Sequence, residues 1–459
     1  MDRRDFLRTT LLGGVAASST LVESLAAARD TGADDLPVAP LPRPVEKLPE
    51  LSSPRDTLFL TWQRDPCTTI TIQWLSPTDT PVVIRYAPLT PALKSSSAAS
   101  LLGKAIDAGT RSDTFEVPAA SWQTATSRCH LFGRTDLKVH RCELTGLKPG
   151  GEYVFQLGQH WGLYRFRTMP AKANDLFTFV SGGDCGIGPP AIASNHTAAR
   201  QDPAFVLIAG DLGYDNGVSA ATAITFIKNY SSQMVDSQGR LIPLITTIGN
   251  HEVRGGYKGQ RSDATYYLPL FDGLYRDTTY NVLDFGDYLS LVLLDTGHVS
   301  PIDGEQTDWL EKVLKQRQEC PHLVVAYHVP AYPSVRTPQG LGSRLGTGEL
   351  QRRYWCPLLE RYGVDAVLEH HDHVFKRTHP LKDGLRDRYG LAYLGDGSWG
   401  KLRVPASPEQ RPYLARVSRT YHLTVHRLEG EQRFHVALTE SGKVADVYTT
   451  TGKRPARRG

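Results

Sequence analysis

The sequence predicts a multidomain β plus α/β protein: an N-terminal antiparallel β-sandwich followed by a larger α/β sandwich of four layers. Three observations carry this. Short runs with period-2 alternation and turn residues fill the stretch before about residue 170. From Leu176 onward, β-branched runs alternate with helical stretches such as Gln306–Gln316 and Glu349–Tyr362. Five of those runs end in side chains able to bind metal ions.

Residues 1–28 come first. Asp2, Arg3, Arg4, Asp5, Phe6, Leu7 and Arg8 precede a mild apolar stretch, Leu11 to Leu25, and Ala26, Ala27 and Ala28 supply small residues for cleavage. The pattern resembles a twin-arginine (Tat) export signal. It is too weakly apolar to span a bilayer, and no other segment reaches spanning length. The expectation is export to the periplasm or beyond, without stable membrane insertion after cleavage. Residues 29–54 carry prolines at 37, 40, 42, 44, 49 and 54, which predicts an extended linker outside the core.

The sandwich is expected over residues 55–170. Leu58–Trp62, Thr69–Trp74 and Val82–Tyr86 alternate as strands, with Ile70, Ile72 and Trp74 on one face. Lys94–Ser100 reads as a loop. Between Leu144 and Leu157, a tyrosine at a strand start, Tyr153, has the form of a sandwich corner, where the hydroxyl bonds to upstream backbone. Leu163–Thr168 closes the domain. The region is similar to fibronectin type III-like modules and is expected to act as a packing platform. Cys129 and Cys142 could pair across a hairpin; free thiols are the equal alternative.

The α/β domain is expected over residues 171–451, with a frayed basic tail at 452–459. Leu176–Val180 runs into Asp184, Ala204–Ala209 into Asp211 and Tyr214, and Leu241–Ile248 into Asn250, His251 and Glu252. Leu323–Ala326 runs into His328, and Val364–Leu368 into His370, His371, Asp372 and His373. Leu391–Leu394, Tyr421–Val425 and Arg433–Leu438 continue the sheets. Any one cluster has an ordinary explanation, a helix cap or a hydrogen-bonded imidazole. Five in a row at strand ends, where α/β sheets bind ligands, point to one metal site. Asp211 is the natural bridge between two metals, imidazoles suit zinc or iron, and ionising the Tyr214 phenol in acid calls for Fe(III).

Composition sets limits. The chain has 459 residues, 40% hydrophobic and 22% charged, which excludes wholesale disorder, a fibrous repeat or a membrane bundle. Its net charge of +4 equals that of the tail, where Lys453, Arg454, Arg457 and Arg458 meet no acid. Residues 1–28 balance three bases against three acids, so the body is neutral and no nucleic-acid binding is expected.

The ordered set of Gly183 and Asp184, Gly210, Asp211 and Tyr214, Gly249 to Glu252, Val325 and His328, and His371 and His373 resembles the purple acid phosphatases, within the calcineurin-like metallophosphoesterases. Echoes include Gln306, Trp309 and Glu311, His328, Pro330 and Tyr332, and the Gly395, Asp396, Gly397 turn. The resemblance implies Fe(III) on Asp184, Asp211, Tyr214 and His373. It implies a divalent ion (Zn, Fe or Mn) on Asp211, Asn250, His328 and His371. His251 would orient the phosphate and protonate the leaving oxygen, with Asp211 and Asn250 also catalytic and Asn250 also binding substrate. The implied reaction is in-line hydrolysis of a small-molecule phosphate monoester by metal-activated hydroxide. A diesterase, phospholipase-like or alkaline-phosphatase-type member of the superfamily is the alternative, and a non-catalytic binding protein using the sandwich is the second. The sequence departs from the family at His370, where glycine is usual, and at Thr337 and Pro338, where plant-like members carry histidines. His370 is expected to face outward, with a further phosphate contact as the alternative, Arg336 to substitute as the phosphate contact, and Cys185 to be a buried thiol rather than a ligand. Oligomeric state and natural substrate stay open.

Overall fold

The computed structural model describes residues 46–89, 119–158, 161–172, 176–341 and 344–451. The export signal, most of the linker, the Lys94–Ser100 loop and the basic tail lie outside the described residues.

Among the described residues, eight strands build the first domain: β1 (Phe59–Thr61), β2 (Ile70–Ser76), β3 (Val83–Pro88), β4 (Gln123–Thr126), β5 (Arg128–Leu131), β6 (Lys138–Leu144), β7 (Glu152–Leu157) and β8 (Leu163–Arg167). They form two antiparallel sheets, ordered β1-β2-β6-β5 and β4-β3-β7-β8. The corner forms as the sequence suggests, with the Lys148 amide donating to Tyr153 Oη at 2.7 Å. The cysteine pair does not. Cys129 stands opposite His140, so Cys142 is two positions away, and all six cysteines are free thiols.

β2 is buried on both faces because the second domain covers its far side. Gln73 Nε2 donates to the Leu270 carbonyl at 2.7 Å. Trp62 sets its edge against Phe205 and Phe285. The linker's end is not outside the core either. Leu48 and Leu51 pack against it, and the Glu46 carboxylate accepts from the Ala220 amide at 3.0 Å.

The second domain contains two mixed sheets. The first takes β9 (Phe177–Gly182), β10 (Val206–Ala209), β11 (Leu244–Thr247), β21 (His422–Glu429), β22 (Gln432–Thr439) and β23 (Val444–Thr451). The second takes β12 (Asn281–Phe285), β13 (Leu289–Leu293), β14 (His322–Ala326), β15 (Ala366–Glu369), β16 (Phe375–Thr378), β19 (Tyr393–Gly395) and β20 (Leu414–Ser418). A small ribbon, β17 (Leu381–Lys382) with β18 (Leu385–Arg386), lies between β16 and β19 in sequence. Period-2 alternation splits the second sheet's residues cleanly. Leu291, Leu293, Val324, Ala326, Ala366 and Leu368 share a cluster with β9–β11. Val292, Leu323, Val325, Tyr327 and Val367 share another with helices α4 (Glu305–Arg317) and α6 (Cys356–Arg361). Helices α1 (Pro189–Ala199) and α2 (Ala220–Gln233) add Ala198, Ile224 and Ile227 to the first cluster. Strands apolar on both faces are what a sheet covered on both sides requires.

One expected helix is two. Glu349–Tyr362 divides into α5 (Glu349–Tyr354) and α6, with α3 (Leu268–Phe271) a single turn earlier in the chain. Pro357 has no amide to bond back and disfavours helical geometry before it, so the chain breaks at Trp355. Among the described residues no helix is long and apolar enough to cross a membrane.

The sheets also bury histidines. Burial holds His422 and His426 down at about 3, and burial with Arg433 holds His322 at about 4. Each is neutral in the fold and takes a proton on unfolding. A depressed folded pKa gives stability that is full above about pH 6.5 and lost as pH falls. Each imidazole should therefore contribute about 1.4 kcal/mol per pH unit of acid destabilisation. Urea unfolding between pH 6 and 5 should show a shallower slope for His422→Asn than for wild type, by about that amount. Equal slopes would mean that His422 titrates alike in both states.

Candidate metal centre

All seven candidate ligands follow the carboxyl ends of parallel strands. Asp184 follows β9, Asp211 and Tyr214 follow β10, and Asn250 follows β11. His328 follows β14, and His371 and His373 follow β15. The first four come from one sheet and the last three from the other, so the site lies where the two carboxyl edges meet. The chain must reverse sharply there. Asp184, Asp211, Tyr214, His371 and His373 all have positive φ, between 56° and 78°. Non-glycine residues adopt that region rarely, at roughly 1–3 kcal/mol each, and such strain concentrates at functional sites.

The donor atoms gather around two points. At the first, Tyr214 Oη is 2.9 Å from Asp184 Oδ1 and 3.0 Å from His373 Nε2, and His373 Nε2 is 3.0 Å from the same Asp184 oxygen. At the second, His328 Nε2 is 3.1 Å from His371 Nδ1, 3.2 Å from Asp211 Oδ1 and 3.3 Å from Asn250 Oδ1. Ligand atoms of Asp184, Asp211, His328 and His371 lie within 4.8 Å of one another, all buried. His328 Nδ1 is 2.9 Å from the Ala209 carbonyl, so it carries the proton and leaves the Nε2 lone pair facing the centre.

These donors fit cations. Asp211 Oδ2 is buried and has no hydrogen-bond partner among the described residues. Burial pushes the Asp211 carboxyl up, yet His328, His251 and His371 outweigh it and hold it well below the usual range. Burial also opposes charge on His328, but Asp211 and Asp184 raise it to about 9, while burial and His328 push His371 well down. Burial, Asp184 and Asp211 push the Tyr214 phenol well above its usual value, so a strongly Lewis-acidic ion suits that point. Lys401 Nζ sits 4.2 Å from the centre of the Tyr214 ring, which favours negative charge on the phenol.

Neighbouring residues fix this geometry. Glu252 accepts from the amides of Gly249, Asp211 and Leu212, each at 2.8 Å, tying the second and third loops together. Burial and Asp211 push Glu252 up to about 8, and those amides pull it back towards the carboxylate. Two glycines give way to ligands. A Cβ on Gly249 would lie 2.4 Å from Asp211 Oδ1, and one on Gly397 would lie 1.6 Å from Asp184 Oδ2.

The His251 ring lies against Tyr214, tilted by 40° with ring centres 4.3 Å apart, and its Nε2 is 3.8 Å from Asp211 Oδ2. It is half-buried at the mouth, and burial lowers its pKa. Arg336 is less free than expected. Its Nη1 donates to the His371 carbonyl and to Asp372, which also accepts the Val335 amide at 2.6 Å. His370 does not face outward. It is buried with Nδ1 3.0 Å from the Tyr327 carbonyl, and it fills the space that Gly183, lacking a side chain, leaves open. Burial holds it neutral, at about 3. Cys185 is a buried thiol.

Sequence reasoning gave no role to Glu252, His298, Lys376 or Lys401, and reached Tyr257 only as part of the loop Gly255–Ser262, rich in glycine and polar residues, from which selectivity is expected. Tyr257 Oη lies 3.3 Å from His371 Nε2, and its ring lies against His298.

Comparison with known proteins agrees with this architecture. Residues 56–168 match the purple acid phosphatase N-terminal domain, and residues 174–375 match the calcineurin-like phosphoesterase family. Purple acid phosphatase 21 of Arabidopsis thaliana is 26% identical over 309 residues, 62% of this chain and 64% of that one. An uncharacterised protein of Mycobacterium tuberculosis is 30% identical over 291 residues, 55% of this chain and 53% of that one. Acid phosphatase type 7 of Mus musculus is 24% identical over 70% of this chain and 79% of that one. The match thus spans just under two thirds of the Arabidopsis relative and about half of the mycobacterial one. A purple acid phosphatase from yellow lupin seeds shares the fold at a TM-score of 0.64 and 17% identity, over 87% of this chain and 74% of that one. PhoD shares it at 0.57 and 12% identity, over 88% and 90%. Sandwich, α/β domain and clustered ligands together make this chain a member of the calcineurin-like phosphoesterases that carries the N-terminal domain of the purple acid phosphatases.

Proposed function

We propose that this chain is an acid phosphatase that hydrolyses small-molecule phosphate monoesters. The observation that carries the reading is the convergence of two oxygen donors, the Asp184 carboxylate and the Tyr214 phenol, with His373 at one point, and of Asn250, His328 and His371 at another, with Asp211 close to both. In this reading Asp184, Asp211, Tyr214 and His373 hold Fe(III), and Asp211, Asn250, His328 and His371 hold Zn, Fe or Mn. When bound, such a pair supplies Lewis acidity and lowers the pKa of water at the site.

The chain's own residues do the rest. Asn250 and His251 bind and orient the phosphate beside Asp211. His251, packed against Tyr214 and partly exposed, is placed to give a proton to the leaving oxygen. Arg336 holds the His371 loop through Nη1 and meets the phosphate with its remaining donors. The twin-arginine pattern adds export by the Tat pathway to the periplasm or the outside.

One experiment tests the reading. The purified holoprotein is analysed for metals, its visible spectrum recorded, and a monoester and a diester assayed at pH 5. A tyrosinate–Fe(III) band with monoester preference is expected. Iron without that band, or a strong diester preference, overturns it in favour of a diesterase or alkaline-phosphatase-type enzyme.

A further inference from the structure

Tyr257 stands at the mouth of the centre with 46% of it exposed. Its loop is pinned by the Lys258 amide on the Gly297 carbonyl at 2.9 Å and the Gly259 amide on the His298 carbonyl at 2.8 Å. Gly255 and Gly256, with φ of 94° and 80°, make the turn that presents it. One face of its ring is taken by His298, with centroids 4.8 Å apart and planes 35° from parallel. His298 is itself fixed, Nδ1 at 2.7 Å from the Gly256 carbonyl and Nε2 at 2.9 Å from Thr296 Oγ1. The hydroxyl end reaches His371 Nε2 at 3.3 Å, one hydrogen bond from a candidate ligand. The exposed area therefore lies away from His298, on a rigid aromatic beside the place where a phosphate would sit. A preorganised ring needs no further ordering when a ligand stacks on it.

We propose that Tyr257 is a specificity-determining residue whose open side stacks on the leaving group, so that the centre prefers phosphate monoesters carrying a planar aromatic ring. This rests on the monoesterase reading above. A polyol leaving group would reach the same phosphate contacts but gain nothing from the ring. The competing account is that the Tyr257 hydroxyl only orients His371, in which case ring and leaving group never meet.

The test compares phenyl phosphate with glycerol 2-phosphate on wild-type, Tyr257→Phe and Tyr257→Leu holoenzymes. Stacking predicts that the phenyl-to-glycerol ratio of kcat/KM survives in Tyr257→Phe and falls roughly three- to tenfold in Tyr257→Leu, chiefly through KM. A ratio unchanged in Tyr257→Leu, or lost equally in Tyr257→Phe, overturns the proposal. If metal-loaded protein hydrolyses neither ester, the monoesterase reading fails separately. Calorimetric binding of phenylphosphonate against methylphosphonate then decides the stacking. A wild-type preference for the phenyl compound that Tyr257→Leu abolishes supports it, and equal affinities overturn it.

Discussion

Asp211→Asn is expected to strip the protein of bound metal and to lower kcat/KM for a phosphate monoester by about three orders of magnitude or more. The carboxylate has a ligand atom within 4.8 Å of those of Asp184, from the first donor cluster, and of His328 and His371, from the second. Its Oδ1 accepts the His251 amide at 2.9 Å and lies 3.2 Å from His328 Nε2, and its Oδ2 is buried without a hydrogen-bond partner among the described residues. Asparagine keeps the shape but removes the charge, and it places an NH2 where one of those oxygens stood. If that NH2 takes the Oδ1 position it meets the His251 amide, donor against donor. If it takes the Oδ2 position, the free lone pair is gone.

Losing a single oxyanion-hole donor already costs about 10²–10³ in rate in other enzymes, so losing a shared metal ligand should cost at least as much. The fold should survive, because the substitution is isosteric and removes a buried charge. Metal analysis, melting temperature and steady-state kinetics on one preparation separate these effects. Full metal content with activity within tenfold of wild type would falsify the bridging role.

The centre was legible because its ligands follow strands that declare themselves. Val206–Ala209 and Leu323–Ala326 are apolar on both faces, and the polar residues that follow them stand out. The Tyr153 corner was legible for a similar reason, since its partner at Lys148 is only five residues away. What escaped depends on distant segments or lacks an apolar face. β4 and β5 have no buried residue, so no alternation marks them. β23 alternates exposed with half-buried positions and has no buried residue to reveal it. His370 looked like a surface residue because the cavity that takes it is made by Gly183, 187 positions earlier. Glu252 stood inside a recognised motif, but its work is done on the amides of Asp211 and Leu212, which only the fold brings to it.

Lys376→Met should cause the largest loss of stability of any single substitution considered. Lys376 and Glu369 are both fully buried, with Nζ 2.6 Å from Glu369 Oε2 and 3.4 Å from Asp396 Oδ1. Nζ also donates to the Tyr332 carbonyl at 2.6 Å. Burial opposes its charge, but Asp396 and Glu369 raise the ammonium's pKa, while burial keeps Asp396 well above the carboxylate range despite Lys376. Methionine would leave both carboxyl groups without their cation. Removing one partner of a buried ion pair costs about 3–5 kcal/mol, because the other charge remains desolvated. For a domain of this size that is a fall in Tm on the order of 10 °C. The damage should reach the centre. Glu369 accepts the Ala331 amide at 2.6 Å and the Tyr327 hydroxyl at 2.8 Å, so it ties the segment leading to Arg336 to the strand that ends before His371. Neutralising the stranded partner should recover part of the loss. Glu369→Gln in the Lys376→Met background is therefore expected to cost at least about 1 kcal/mol less than the two single substitutions added together. Strict additivity would show that the pair is not coupled, and that the stability of the His371 loop comes from packing alone.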